Sequence, residues 1–388
     1  MQRHKKMEHG PYTQSELNPL TISDQEFMAT RQRFMGYTQE GKPIPQVYKK
    51  GRLPRSLAHK NIGRIDLIRA LEYSSNPYFS LLAADHLQNP NDLNRAAEAF
   101  GVPFTLSTMS INSIEDVAEA TTKPFWFQLY TMRDEDYVAR LIQRAKDAKC
   151  SALVITLDLQ ILGQRHKDLK NGLSAPPKLT AKTLANLATK WSWGIGMMGA
   201  KRRSFGNIVG HVHGVDDTAN LGAWTAEQFD PTLDWGKIAK LKEQWGGKVI
   251  LKGILDADDA RMALKVGADA IIVSNHGGRQ LDGAISSIRA LPSILEAVGD
   301  QIEVHLDSGI RSGQDVLKAM AMGAKGTYIG RAFIYGLGAM GQAGVTSALE
   351  VIHKELDLSM ALCGETSVAG LGKHNLLIPK GFEGDWKP

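Results

Sequence analysis

Residues 273–283, VSNHGGRQLDG, concentrate groups suited to chemistry on a small anion. An apolar run ends at His276, two glycines that let backbone approach a ligand follow it, and Arg279 comes next. A guanidinium can grip a carboxylate through two parallel N–H donors while an imidazole takes a proton beside it. Asp158 and Asp307 close two other apolar runs, and each is available to orient or polarise that imidazole; the residues themselves favour neither. Lys252 ends a further run, where a partly desolvated ammonium either stabilises a developing anion or serves in a plain ion pair.

Two more segments have the composition of phosphate cradles. DSGIRSG (307–313) and IGRA (329–332) put glycine N–H groups ahead of helical patterns, with Arg311 and Arg331 able to add charge-assisted bonds. Gln128, Tyr130, Thr156 and Ser274 also sit where apolar runs end. A single polar residue at a strand end is ordinary, and a lone histidine is more often structural than catalytic. The joint occurrence of these residues in step with the runs is what carries weight.

The elements that must position them are legible as short apolar runs at 103–108, 125–130, 152–158, 248–253, 269–275, 302–307 and 326–331. Amphipathic stretches at 133–149, 256–267 and 312–323 lie between them, the last two opening on capping-type Asp or Ser and closing at Gly. Alternation of this kind predicts an α/β fold, a (β/α)8 TIM barrel, with reactive groups at the carboxyl ends of the strands and phosphate sites after the last two. PYFSLLAA (77–84) is the candidate for the remaining strand. The expected organisation is an atypical amino-terminal extension over 1–76 and a barrel over 77–380, with a long insert at 160–245 after the fourth strand. Within the insert, Trp191, Trp193, Met197 and Met198 beside Lys201, Arg202 and Arg203 suit either a membrane-interface contact or an ordinary flap on the barrel mouth.

Composition sets the outer bounds. The chain has 388 residues, 43% of them apolar and 22% charged, and no uninterrupted apolar stretch approaches the roughly 18 residues of a membrane span. Cys150 and Cys363 have neither the number of a disulfide framework nor the spacing of a metal site, so no metal is expected. The net charge of +5 arises in residues 1–60, which hold 11 Lys and Arg against 5 Asp and Glu. Without interleaved aromatics that leader reads as a solvated extension, and a nucleic-acid partner is not expected. The first thirty residues lack an apolar signal core, which makes the cytoplasm, or a peripheral place on the cytoplasmic face of the inner membrane, the expected location.

SNHGGRQLDG resembles the active-site signature of the FMN-dependent α-hydroxy-acid dehydrogenases and oxidases, and the likeness runs from about residue 96 to about 370. The resemblance implies a TIM barrel that binds FMN and oxidises a 2-hydroxy acid. It gives His276 the role of catalytic base, Arg165 and Arg279 the substrate carboxylate, and Tyr130 the substrate hydroxyl or keto oxygen. Asp158 or Asp307 would assist, with Asp307 preferred as the partner of His276. Ser107, Gln128, Thr156, Lys252 and Ser274 resemble flavin-ring contacts; Asp307, Gly309, Arg311, Gly330 and Arg331 resemble the ribityl and phosphate site.

Segments 206–245 and 286–294 are most similar to bacterial L-lactate dehydrogenases, implying oxidation of L-lactate to pyruvate, a quinone or cytochrome as acceptor, a peripheral membrane contact and a homotetramer. Departures from the family lie mainly upstream of residue 96: MEHGPYTQ (7–14) has no preceding Tyr, PYFSLLAADH (77–86) has no Ala-Pro pair, and RQR (31–33) is a faint echo of a family element. Met109 stands where oxidases often have Trp, and Leu159-Gln160 replaces a Thr-Pro or Met-Pro pair. An oxidase using O2, and an inactive or truncated paralogue with impaired flavin binding, are therefore the alternatives.

Overall fold

A strand of a parallel sheet covered on both faces must be apolar throughout, and Ala152–Thr156 meets that demand with every residue buried. In the computed structural model, residues 91–161, 163, 205–212, 224 and 227–382 are described, together with the backbone of Arg33–Tyr37 and Pro43–Gln46. The chain divides into two compact units, Met1–Tyr78 and Phe79–Pro388. In the first, Arg33–Tyr37 pairs antiparallel with Pro43–Gln46. The strand candidate at 77–84, the segments 7–14 and 191–203, and Arg165 lie outside the described residues.

The second unit holds a parallel sheet of β1 (Thr105–Ser107), β2 (Trp126–Tyr130), β3 (Ala152–Thr156), β4 (Lys248–Ile254), β5 (Ala270–Val273), β6 (Glu303–Leu306) and β7 (Gly326–Thr327), each hydrogen-bonded to the next. Sequential parallel order with helices between is that of a (β/α)8 barrel, the predicted fold class. The last strand is shorter than its 326–331 run suggests, because Arg331 already opens a helix.

Helices α1 (Asp92–Phe100) and α2 (Ile114–Ala120) come before α3 (Glu135–Asp147). Then follow α4 (Trp235–Trp245), α5 (Ala257–Lys265), α6 (Ser287–Val298), α7 (Gly313–Met322) and α8 (Arg331–Leu362, broken at Met340–Gly341). Each predicted helix has its physical ends in place. Asp134 caps α3, acids occupy its first turn and Arg144 and Lys146 its last, while Tyr137, Val138, Leu141, Ile142 and Ala145 form one buried stripe. Asp256 and Ser312 cap α5 and α7 through side-chain oxygens. The end of the insert is itself ordered: residues 235–245 are α4, and the fully buried Asn207 accepts the Ile114 N–H at 3.0 Å and, through its carbonyl, the Tyr137 hydroxyl at 2.9 Å.

Strand alternation sorts the side chains into two sets. Leu153, Ile155, Val249, Leu251, Ile271, Val273, Val304 and Leu306 pack outward in the main core. Ala152, Val154, Ile250, Ala270 and Ile272 form a separate inner cluster with Trp126 and Tyr328. Every second residue along these inner rows leads to Gln128, Thr156, Lys252, Ser274 and Asp307 at the strands' carboxyl ends. His305, buried in the same inner row as Asp307, hydrogen-bonds the Tyr328 hydroxyl at 3.1 Å.

Candidate active site

Register sets the site. Ser107 lies beside Gln128, Tyr130 beside Thr156, and Thr156 beside Lys252 on adjacent strands. Gln128 Nε2 donates to Thr156 Oγ1 at 2.8 Å, which places both side chains on the inner face. Lys252 Nζ donates to Ser274 Oγ at 3.1 Å and pairs with Asp307 Oδ2 at 3.1 Å; the fully buried Ser274 gives its own proton to Asp307 at 2.6 Å. Burial by itself would raise the Asp307 pKa, but the Lys252 charge and the Ser274 and backbone donors outweigh it and hold the carboxyl below its ordinary range.

His276 opens a short 3-10 turn after β5. Its ring Nδ1 lies 3.1 Å from Asp158 Oδ1 and 3.3 Å from Oδ2. The expected partner was Asp307, so this is a correction: β6 delivers Asp307 to the inner row where Lys252 and Ser274 take its oxygens, while Asp158, beyond the end of β3, reaches the imidazole from the side. An Nδ1–H given to Asp158 leaves Nε2 as the ring's proton acceptor. Asp158 is held closely, since Gln280 Nε2 donates to its carbonyl at 3.1 Å and a Cβ at Gly253 would come within 2.9 Å of its side chain.

Arg279 follows the His276 turn and is half-buried. Its carbonyl and that of Gln280 close against Gly163, where a Cβ would sit 2.6 and 2.7 Å from them. This brings the start of the loop after β3 next to the arginine. Tyr130 is buried, its ring edge-on to Phe229 at 6.4 Å, and Phe229 also bridges to Met132. The insert therefore supports the tyrosine from behind.

The two glycine segments differ from each other. Amides ahead of α7 are already satisfied: Asp315 accepts from Arg311 N and Ser312 N at 3.0 Å each, and Glu355 accepts from Gly313 N at 3.0 Å. Arg311 is exposed. At the start of α8, Gly330 provides no side-chain cap, and a Cβ on Gly309 or Gly330 would meet nothing within 4 Å. Arg331 reaches back to donate to the Gly277 carbonyl at 3.1 Å. An open glycine-walled space at an uncapped helix N-terminus fits a phosphate, and the inner row of Ser107, Gln128, Thr156, Lys252 and Ser274 offers the hydroxyl, amide and ammonium groups that the polar edge of a flavin requires. The residues present thus fit FMN.

Sequence reasoning missed Ser308, Gln280 and Asn207. Ser308 and Gln280 lie inside the quoted segments DSGIRSG and VSNHGGRQLDG, but their contacts, like those of Asn207, are long-range and arise only on folding.

The pattern of the family described as FMN-dependent dehydrogenase matches residues 80–378, reaching further upstream than residue 96. The chain is 44% identical over 281 residues to an L-lactate dehydrogenase of Caulobacter vibrioides (strain NA1000 / CB15N), covering 72% of this chain and 73% of that one. It is 45% identical over 276 residues to an L-lactate dehydrogenase of Ectopseudomonas mendocina (strain ymp), covering 71% and 73%. Among solved structures, the monotopic membrane protein (S)-mandelate dehydrogenase superposes with a TM-score of 0.70 at 33% identity, over 76% of this chain and 78% of the other. A mandelate oxidase gives a TM-score of 0.61 at 37% identity over 74% and 73%. On the family match over residues 80–378 and relatives at 44–45% identity, this chain belongs to the FMN-dependent dehydrogenase family, flavoenzymes that oxidise α-hydroxy acids.

Proposed function

We propose that the chain oxidises L-lactate to pyruvate and passes the electrons to a quinone or cytochrome. The observation that carries this reading is the pairing of His276 with Asp158 at the strand ends that also hold Lys252. The choice of lactate is supported by relatives named L-lactate dehydrogenase at 44–45% identity, against 33–37% for the mandelate enzymes.

In this mechanism Arg279 and Arg165 grip the substrate carboxylate and Tyr130 hydrogen-bonds the substrate oxygen, which fixes the α-carbon. His276 receives a proton at Nε2, whether the α-hydrogen leaves as hydride or by way of a carbanion, and Asp158 stabilises the imidazolium so formed. Bound FMN supplies the two-electron acceptor. Lys252 places a positive charge in the inner row, where negative charge develops, and Asp307 holds that ammonium in place. Ser107, Gln128, Thr156 and Ser274 would hold the ring, and Gly309, Gly330 and Arg331 the phosphate end.

Anaerobic mixing of the purified holoprotein with L-lactate, D-lactate and (S)-mandelate tests the assignment. L-Lactate should bleach the flavin fastest, and the reduced protein should reoxidise faster with a quinone analogue than with air. Rapid reoxidation in air with peroxide release would support the oxidase alternative, which the mandelate oxidase likeness favours. Faster bleaching by mandelate would replace lactate as substrate, and a colourless protein would support the inactive-paralogue reading.

The protein is further proposed to sit peripherally on the cytoplasmic face of the inner membrane through residues 191–203, as a tetramer. No helix among the described residues is long and apolar enough to cross a membrane, and one structural neighbour is a monotopic membrane protein. Deleting residues 185–205 should move the protein to the soluble fraction while sparing activity with an artificial acceptor; an undiminished membrane fraction would refute the contact.

A further inference from the structure

We infer that Ser308 is a positioning residue for His276, acting through the peptide group that follows the histidine. The inference rests on the reading of His276 as proton acceptor. His276 adopts φ 56° and Gly277 φ 68°, so the imidazole is carried on two consecutive left-handed residues, the first a non-glycine for which that conformation is unfavourable.

Both peptide planes flanking the His276 Cα are held by a serine hydroxyl. The His276 N–H donates to Ser274 Oγ at 3.1 Å, and the Gly277 N–H donates to Ser308 Oγ at 3.0 Å. The first bond restrains rotation about φ and the second restrains ψ, so together they aim the Cα–Cβ bond before Asp158 sets the ring. Ser308 is itself fastened. It is left-handed at φ 80°, a second strained non-glycine, and its carbonyl accepts the hydroxyl of the buried Ser287 at 3.2 Å. On the far side, Arg331 holds the Gly277 carbonyl at 3.1 Å. A glycine at 308 would adopt this backbone without strain but would offer no acceptor, so the side chain is what the strain secures.

The test separates a hydrogen-bond role from a backbone role. Ser308→Ala removes the hydroxyl and keeps the strain; Ser308→Gly removes both. For each variant, kcat per bound FMN, KM for L-lactate, thermal midpoint and hydrogen–deuterium exchange at residues 276–278 are measured, with His276→Gln in parallel. Loss of one aligning hydrogen bond should lower kcat per bound FMN about tenfold in both variants, with KM changed less than about twofold. Exchange at the Gly277 amide should rise in both, and Ser308→Gly should melt no lower than Ser308→Ala. Native kcat in Ser308→Gly, or native protection of the Gly277 amide, overturns the inference. So does a loss confined to FMN content with kcat per bound FMN unchanged. If His276→Gln is inactive while both Ser308 variants are native, only the Ser308 inference fails; if His276→Gln itself turns over near the native rate, the proton-acceptor reading fails and takes this one with it.

Discussion

Two base–carboxylate pairs lie at the same end of the barrel with the same 3.1 Å separation, yet their surroundings differ. In the Lys252–Asp307 pair both side chains are largely enclosed, and a buried serine hydroxyl adds a third member that leaves the carboxylate no reason to take a proton. In the His276–Asp158 pair the base is an imidazole on a strained turn, with Nδ1 facing the carboxylate and Nε2 turned away from it. On the proposed reading, a fixed charge and a movable proton thus stand at neighbouring strand ends. The difference teaches that distance alone does not assign a role; what else touches each oxygen does.

The largest expected effect breaks the movable side. Replacing His276 with Gln should lower the rate of flavin bleaching by lactate by about 10² to 10⁴-fold while substrate binding persists, and Asp158→Asn should cost less, about ten- to a hundredfold, because the base remains but its cation loses a charged partner. Stopped-flow bleaching against lactate concentration reads both; an Asp158 variant slower than the His276 variant would mean the carboxylate does more than stabilise the ring. Next in size, Lys252→Met should destabilise the fold by about 3–5 kcal/mol in urea titrations, since it leaves Asp307 buried and unpaired. Adding Asp307→Asn should restore part of that stability without restoring the rate of reduction. Equal recovery of both would reduce Lys252 to an ion-pair role.

The smallest effect is seen in acid. The Asp307 pKa is lowered, and that of Glu115 is lowered to about 2, chiefly by its hydrogen bonds with Arg144 against the opposing effect of burial. A carboxyl depressed on folding contributes stability that is complete above its unfolded pKa of about 4 and is lost as pH falls through the folded value. Thermal midpoints should therefore hold near neutrality and decline from about pH 4 towards pH 2. Half-exposed and screened, Glu115 should contribute under about 1 kcal/mol, so Glu115→Gln should shallow this decline only slightly, and Asp307→Asn more. An unchanged acid limb in the Asp307 variant would contradict its proposed fixed charge.

Much of the site was legible because barrels place function at strand ends and strands announce themselves by local composition. Buried apolar runs identified seven strands, and polar residues at or near the ends of five of them were Gln128, Thr156, Lys252, Ser274 and Asp307. Capping residues and terminal glycines located α5 and α7 within a residue or two of their ends. Such signals lie within one turn or one strand, so the order of residues is enough to show them.

Tertiary structure alone decided which of two aspartates faces the imidazole, because Asp158 and Asp307 are equivalent as strand-end carboxylates and differ only in which row of the sheet receives them. It alone decided that α8 keeps an open amino terminus while α7 does not, since Glu355, which occupies the Gly313 amide, lies 42 positions away in the chain. Ser308 was invisible for the same reason: its value is an N–H on another loop. Local sequence sets what each segment can form, whereas partner choice depends on distances between segments that exist only after the chain has closed on itself.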